Sequence, residues 1–280
     1  MLRRRLHIAI FCCVALCLVF AHPAAQADTG PPPPQVPEGG RDAFTFVRVQ
    51  YDSMGGWGEA RYNYDGRIWE RWETDFPEAE ENLIFRLRQL TTLRLADRPI
   101  SLRLNDKRLF QYPFLYMADP GWQDLKKDEQ DGLREYLTRG GFLWVDDFWG
   151  DAEWDNFAFN MAQIFPDLPW TSIPDEHPVL SMVFPLKTCP QVPAHIFAFQ
   201  YPGQDWDSPY GHRGEPPEQE LMTVHFKGLF LEGRLIALAT HNTDIGDGWE
   251  REANDRRYFE TYSIKAYALA VNIIVYALTH

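Results

Sequence analysis

The chain has 280 residues, 45% of them hydrophobic and 24% charged, the balance of a folding protein and not of a disordered or collagen-like one. Its 40 acidic residues outnumber 27 basic ones, and the net charge of −13 disfavours any grip on phosphate backbones, so no nucleic acid is expected as a partner. The single long apolar run lies at the N-terminus, which excludes a polytopic membrane protein.

That run reads as an export signal over residues 1–27. Arg3, Arg4 and Arg5 form a basic start, Leu6 to Phe20 an apolar stretch, and Ala25-Gln26-Ala27 a small-residue cleavage site, so cleavage between Ala27 and Asp28 is expected. The stretch is shorter than the roughly 20 residues that span a bilayer. No transmembrane helix is therefore expected after cleavage, and the mature chain is expected in the periplasm or cell envelope, by the general secretory or the twin-arginine route. Cleavage also removes Cys12, Cys13 and Cys17, leaving Cys189 alone and no intramolecular disulfide.

Residues 28–43, with Pro31-Pro32-Pro33-Pro34, Pro37, Gly39 and Gly40, form a proline-rich tether. A single domain follows over 44–280. Phe44 to Tyr51 alternates apolar and polar residues as a strand does. Asp52 to Trp72 is a Gly, Trp and Tyr-rich loop without regular period, long enough to suspect of function. A helix comes next, capped by Thr74 or Asp75, with Pro77 in its first turn and Leu83, Ile84, Leu87 and Leu90 at helical spacing. Ile100 to Leu104 and Pro113 to Ala118 are strands, Lys127 to Arg139 is a helix stopped by Gly140-Gly141, and Phe142 to Val145 is a strand ending in Asp146-Asp147. Glu153 to Phe165 is helical, Pro166 to Pro193 irregular, and His195 to Gln200 a short strand. Leu221 to Lys227 and Arg234 to Thr240 pair as a hairpin turned at Gly228 to Gly233, and a final apolar helix spans Arg257 to Leu278. Strand, helix, glycine stop and apolar strand in repetition predict an α/β fold with right-handed crossovers and a mainly parallel sheet.

Ligands in such sheets bind outside the carboxyl ends of the strands. The residues placed there are acidic and aromatic: Tyr51 and Asp52, Asp119, Asp146 and Asp147, His241 and Asp244. Such a rim suits a divalent cation, held by carboxylate oxygens, with Asp146 and Asp147 the metal candidates, or a sugar held by carboxylates and indole faces. An aspartate at a strand end equally caps a helix or tightens a turn. Of Asp146-Asp147, however, alternation lets at most one do so. Trp57, Trp69, Trp72, Trp122, Trp149, Trp206 and Trp249 fall in loops or element ends and suit stacking, although indoles are also common core residues. The run Asp244 to Glu250 resembles a fragment of a calcium loop without its regular ligand positions. Nucleophilic catalysis finds little support: Cys189 has no glycine elbow, no G-x-S-x-G exists, and His177 with His241 would matter only if the fold joined them.

The run Phe46 to Tyr51, Tyr112-Pro113-Phe114-Leu115-Tyr116, Leu133 to Leu137 with Gly140 to Leu143 and Asp146-Asp147, His177-Pro178, and the ending Val271 to His280 resemble the bacterial domain-of-unknown-function 4159 family over about Phe44 to His280. The resemblance implies a class I glutamine-amidotransferase-like fold, a flavodoxin-like three-layer sandwich. Amidotransferases carry a cysteine on a sharp turn after a strand, whereas the counterpart strand here ends in Asp146-Asp147, so glutamine hydrolysis is not expected. Family members joined to membrane segments, or lying near chaperone-like ATPase and adhesion-type domains, suit an envelope role. Two functions are weighed. One is a non-catalytic envelope protein that binds a saccharide, peptide or protein partner through Tyr51, Asp119, Asp146, Asp147, Asp244 and Trp249. The other is a metal-assisted hydrolase of an envelope polymer, using Asp146 or Asp147 with His241 as proton carrier.

Overall fold

The structure is a computed structural model that describes residues 43–55, 60–64, 66–199, 221 and 223–280. Residues 1–42, which carry the expected leader with Ala27 and Asp28 and nearly all of the expected tether, lie outside the described residues, as do Trp57 and Trp206. Strand β1 (Val47–Gln50) sends Val47 and Val49 to one face of the sheet, while Phe46 and Arg48 face the other. A small antiparallel hairpin, β2 (Arg61–Tyr64) and β3 (Arg67–Glu70), precedes helix α1 (Glu78–Leu90), whose Leu83, Ile84 and Leu87 are buried. Strands β4 (Ile100–Arg103) and β5 (Phe114–Ala118), helix α2 (Lys127–Thr138), strand β6 (Phe142–Asp146) and helix α3 (Gly150–Ile164) follow. A short edge strand β7 (Trp170–Ser172) leads to the hairpin of β8 (His225–Leu231) and β9 (Arg234–His241). The chain ends in α4 (Ile245–Glu250), α5 (Arg256–Tyr258), a π-turn (Phe259–Ser263) and α6 (Ile264–Thr279).

The seven-stranded sheet runs β4-β1-β5-β6-β9-β8-β7. The first five strands are parallel, and β8 runs against both its neighbours. Alternation divides each central strand between two cores. Phe114, Tyr116, Phe142 and Trp144 join Leu83, Leu87, Trp249 and Leu269 under α1, α4 and α6; Leu115, Met117, Leu143 and Val145 join Leu133, Leu137, Phe157 and Met161 under α2 and α3. The result is an α/β three-layer sandwich consistent with the flavodoxin-like class. By length and apolarity the run Arg256–Thr279 would also suit a bilayer, but most of it is buried, packed on α1, α4 and β5. The chain leaves β1 for β4 on one side and returns to β5 on the other, which opens a crevice at the carboxyl ends beside β5, where ligands of such sheets lie.

Several expected elements differ. The stretch Asp52 to Trp72 contains the β2–β3 hairpin; each strand has only four residues, and Tyr62 and Trp69, paired on one face, are only half-buried, so the pattern is too short to announce it. Trp170–Ser172, within the stretch read as irregular, is the edge strand β7. Residues 195–199 form turns and not a strand, while Gln200 lies outside the described residues. Strand β8 starts at His225 and continues through Gly228, where a Cβ would lie 2.5 Å from Leu235 Cδ1, so that glycine permits close packing and does not mark the turn. The turn is Glu232-Gly233, both left-handed at φ 52° and 82°, the pairing that matches strand twist. Neither Thr74 nor Asp75 caps α1, whose N-cap position is Pro77 without a side-chain bond.

Candidate functional site

Three aspartates stand on left-handed backbone, which costs most residues about 1–2 kcal/mol and is tolerated best by Gly, Asn and Asp. They are Asp75 (φ 63°) before α1, Asp119 (φ 54°) after β5 and Asp147 (φ 59°) after β6. Their positions are far apart in the sequence, yet all three line one cavity of about 240 Å³ at the carboxyl ends of the strands. Asp244 and Asp247 enter it from the first turn of α4, where Asp244 Oδ1 accepts from the Asp247 amide at 2.7 Å. Tyr62, Trp149 and Phe197 supply aromatic wall, and Arg71 and Arg251 supply positive charge.

The two arginines are engaged with flanking acids. Arg71 Nη1 donates to Asp119 Oδ2 at 3.1 Å, its guanidinium lying over Tyr62 and Trp122. Arg251 Nε lies 2.7 Å from Glu250 and 3.5 Å from Asp247. Deeper in, one carboxylate oxygen from each of Asp75, Asp147 and Asp244 lies within 4.8 Å of the others. Burial first, and then the neighbouring carboxylates, push these three carboxyls well above the usual range. Asp119 is also raised by burial, but Arg71 pulls it back and it settles at about 6. Asp147 Oδ1 accepts from Trp149 Nε1 at 3.1 Å, which holds it toward the cavity.

Of the residues expected on the rim, Asp119, Asp147 and Asp244 meet here; the others do not. Asp146 is fully buried and turned toward α4: Tyr116 Oη, the amides of Ile245 and Gly246, and the hydroxyl of Thr240 all donate to its carboxylate. Engaged by these four donors, it stitches β5, β6, β9 and α4 together and is turned away from the cavity. Tyr51 is fully buried, with its hydroxyl against the carbonyls of Ala118 and Asp119. Trp249 packs in the core against Tyr116 and Trp144, with ring centroids at 5.7 and 5.5 Å. Asp52 bonds Arg103 at 2.6 Å, beside β4. His241 cannot carry protons for these carboxylates, because Thr240 takes the Asp146 side of β9 and alternation sends His241 to the opposite face. There it packs on Phe148 and Trp154, bonds the Gly150 carbonyl through Nε2, and is lowered to about 3 by burial. His177 packs instead on Phe230 and Tyr276.

Among the indoles, Trp72 and Trp149 are also buried, while Trp69 and Trp122 are half-buried under Arg67 and Arg71. Cys189 is a bystander thiol pushed up by burial. Sequence reasoning missed Asp75, Asp247, Tyr62, Arg71 and Arg251 as pocket residues. The acidic run Asp244 to Glu250 carried a signal for Asp247, and nothing local distinguished Asp75 from a helix cap.

The sequence matches the domain of unknown function DUF4159 over residues 45–278. That span is nearly the whole folded part, and the chain belongs to this family. No curated protein matches the sequence.

Proposed function

We propose that this DUF4159 protein is an exported binding protein of the bacterial cell envelope that takes the end of a saccharide or peptide into the acidic pocket, without catalysing a reaction. The observation that carries the reading is the convergence of Asp75, Asp119, Asp147 and Asp244, three of them on left-handed backbone, beside Tyr62, Trp149 and Phe197. Backbone strain and buried like charges destabilise a fold and persist where they serve a site. Carboxylates against aromatic faces recognise hydroxyl and ammonium groups, and a cavity of about 240 Å³ suits one sugar or one amino-acid residue. Export is inferred from the leader. Kinship with class I amidotransferases in fold is inferred from the parallel sheet and from the left-handed turn after β6, where Asp147 stands in place of a nucleophilic cysteine. A hydrolase joining Asp146, Asp147 and His241 is disfavoured, since Asp146 is engaged by four donors and His241 lies across the sheet.

Tryptophan fluorescence of the purified protein, titrated with glucosamine and N-acetylglucosamine oligomers and with a lysine-rich peptide, tests the reading. Saturable binding of one of these, weakened at least tenfold by Asp147→Asn, is expected. No saturable response from any of the three would count against it.

A further inference from the structure

Asp75, Asp147 and Asp244 present three carboxylate oxygens within 4.8 Å of one another. A hard divalent cation bound at about 2.3–2.6 Å from oxygen ligands sets neighbouring oxygens roughly 3–5 Å apart, so the trio matches such an ion with little movement. Acidic residues alone do not make a site, but two further observations concern a ligand. The carboxyl of Asp75 is buried, and its Oδ2 atom has no hydrogen-bond partner. A buried acceptor left so is destabilising, the more so when charged. The second is Gly246. A Cβ there would lie 2.7 Å from that same oxygen, so a side chain at this position would crowd the Asp75 carboxylate where it now stands.

We propose that Asp75, Asp147 and Asp244 hold one hard divalent cation, with Ca²⁺ the best match, at the floor of the pocket. All donors are oxygens, which selects against soft metals. A second trio, Asp75, Asp247 and Glu250, is already served by Arg251, which lies 2.7 Å from Glu250 and 3.5 Å from Asp247. Asp119 is served by Arg71 in the same way. The floor trio is thus where a cation adds most. Asp147 keeps its bond from Trp149 Nε1, and Asp244 caps α4 through Oδ1. The site shares the pocket with the proposed binding function but does not depend on an organic ligand.

Calorimetric titration of the chelator-stripped protein with CaCl₂, MgCl₂ and MnCl₂, without any saccharide or peptide, tests it. One saturable site is expected. Asp75→Asn, Asp244→Asn and Gly246→Ala should each weaken it at least tenfold, and Asp124→Asn, an exposed carboxylate beside Lys126, should leave it unchanged. Asn preserves both shape and the α4 cap, and circular dichroism checks each variant's fold. Terbium provides a readout on the unaltered carboxylates: emission excited through indole should appear on binding and be displaced by Ca²⁺. Failure of a folded protein to bind any of these cations, or binding indifferent to Asp75→Asn and Asp244→Asn, would overturn the proposal. Saccharide or peptide binding that persists in chelator would separate that outcome from failure of the binding function.

Discussion

Asp146 and Asp147 are consecutive, yet their carboxyls part at the end of β6: Asp146 turns into the core to meet Tyr116 Oη at 2.9 Å, while Asp147, at φ 59°, turns out to meet Trp149 Nε1 at 3.1 Å. The first is a structural tie and the second a pocket group. The left-handed turn between strand and helix makes that division possible.

Asp146→Ala removes the acceptor of four hydrogen bonds and strands their donors in the core. With about 1 kcal/mol for each bond and extra cost for unsatisfied donors, a loss of about 4 kcal/mol is expected by urea unfolding. A loss below about 1 kcal/mol would mean that the donors find other partners.

Arg48 and Glu80 form a fully buried ion pair at 2.6 Å, and Arg48 Nη1 also donates to the carbonyls of Trp72 and Thr74, in the turn that presents Asp75. Arg48→Met leaves Glu80 charged and alone, and should cost about 3–5 kcal/mol. Adding Glu80→Gln should restore part of that stability. Equal losses in the single and double variants would show that the turn, and not the charge, carries the effect.

Stability should depend on pH in a definite direction. Glu153 is raised by burial to about 8, and Asp119 and Asp146 to about 6. For each, the folded form keeps a proton that the unfolded chain has released, so the stabilisation is complete below the ordinary carboxyl value and is lost as pH rises through 6 to 8. His241 acts oppositely. Lowered to about 3, it contributes above the ordinary histidine value of about 6.5, and that contribution drains away as pH falls toward 3. In chelator, the unfolding midpoint should therefore be higher at pH 5.5 than at pH 8. A midpoint that rises steadily to pH 8 would contradict the raised carboxyls.

Much of the fold was legible because its signals are periodic. Continuous apolar strands such as Phe114 to Ala118, and the spacing of Leu83, Ile84 and Leu87, mark the sheet and its helices without tertiary knowledge. The β2–β3 hairpin was not, since its strands have only four residues each and the paired Tyr62 and Trp69 are only half-buried. Strand ends named Asp119, Asp147 and Asp244, which the structure brings to one cavity. They could not say that Asp146 belongs to the core, because that follows from Thr240 and α4 arriving beside it from about a hundred residues away. The role of Asp75 depends likewise on two distant strand ends, and its position before a helix supports a cap just as well. The face taken by His241 needed the register that pairs Val145 with Ala239.

The most direct measurement is the thermal midpoint of the wild type and of Asp147→Asn/Asp244→Asn, each in chelator and in millimolar Ca²⁺. Binding to the native state alone raises a midpoint, whereas a site built from repelling carboxylates weakens the empty fold. The expected result is a double variant more stable than wild type in chelator, with Ca²⁺ raising only the wild type. A double variant less stable in chelator, together with a wild type indifferent to Ca²⁺, would show the carboxylates to be structural and contradict the assignment of this pocket as the binding site.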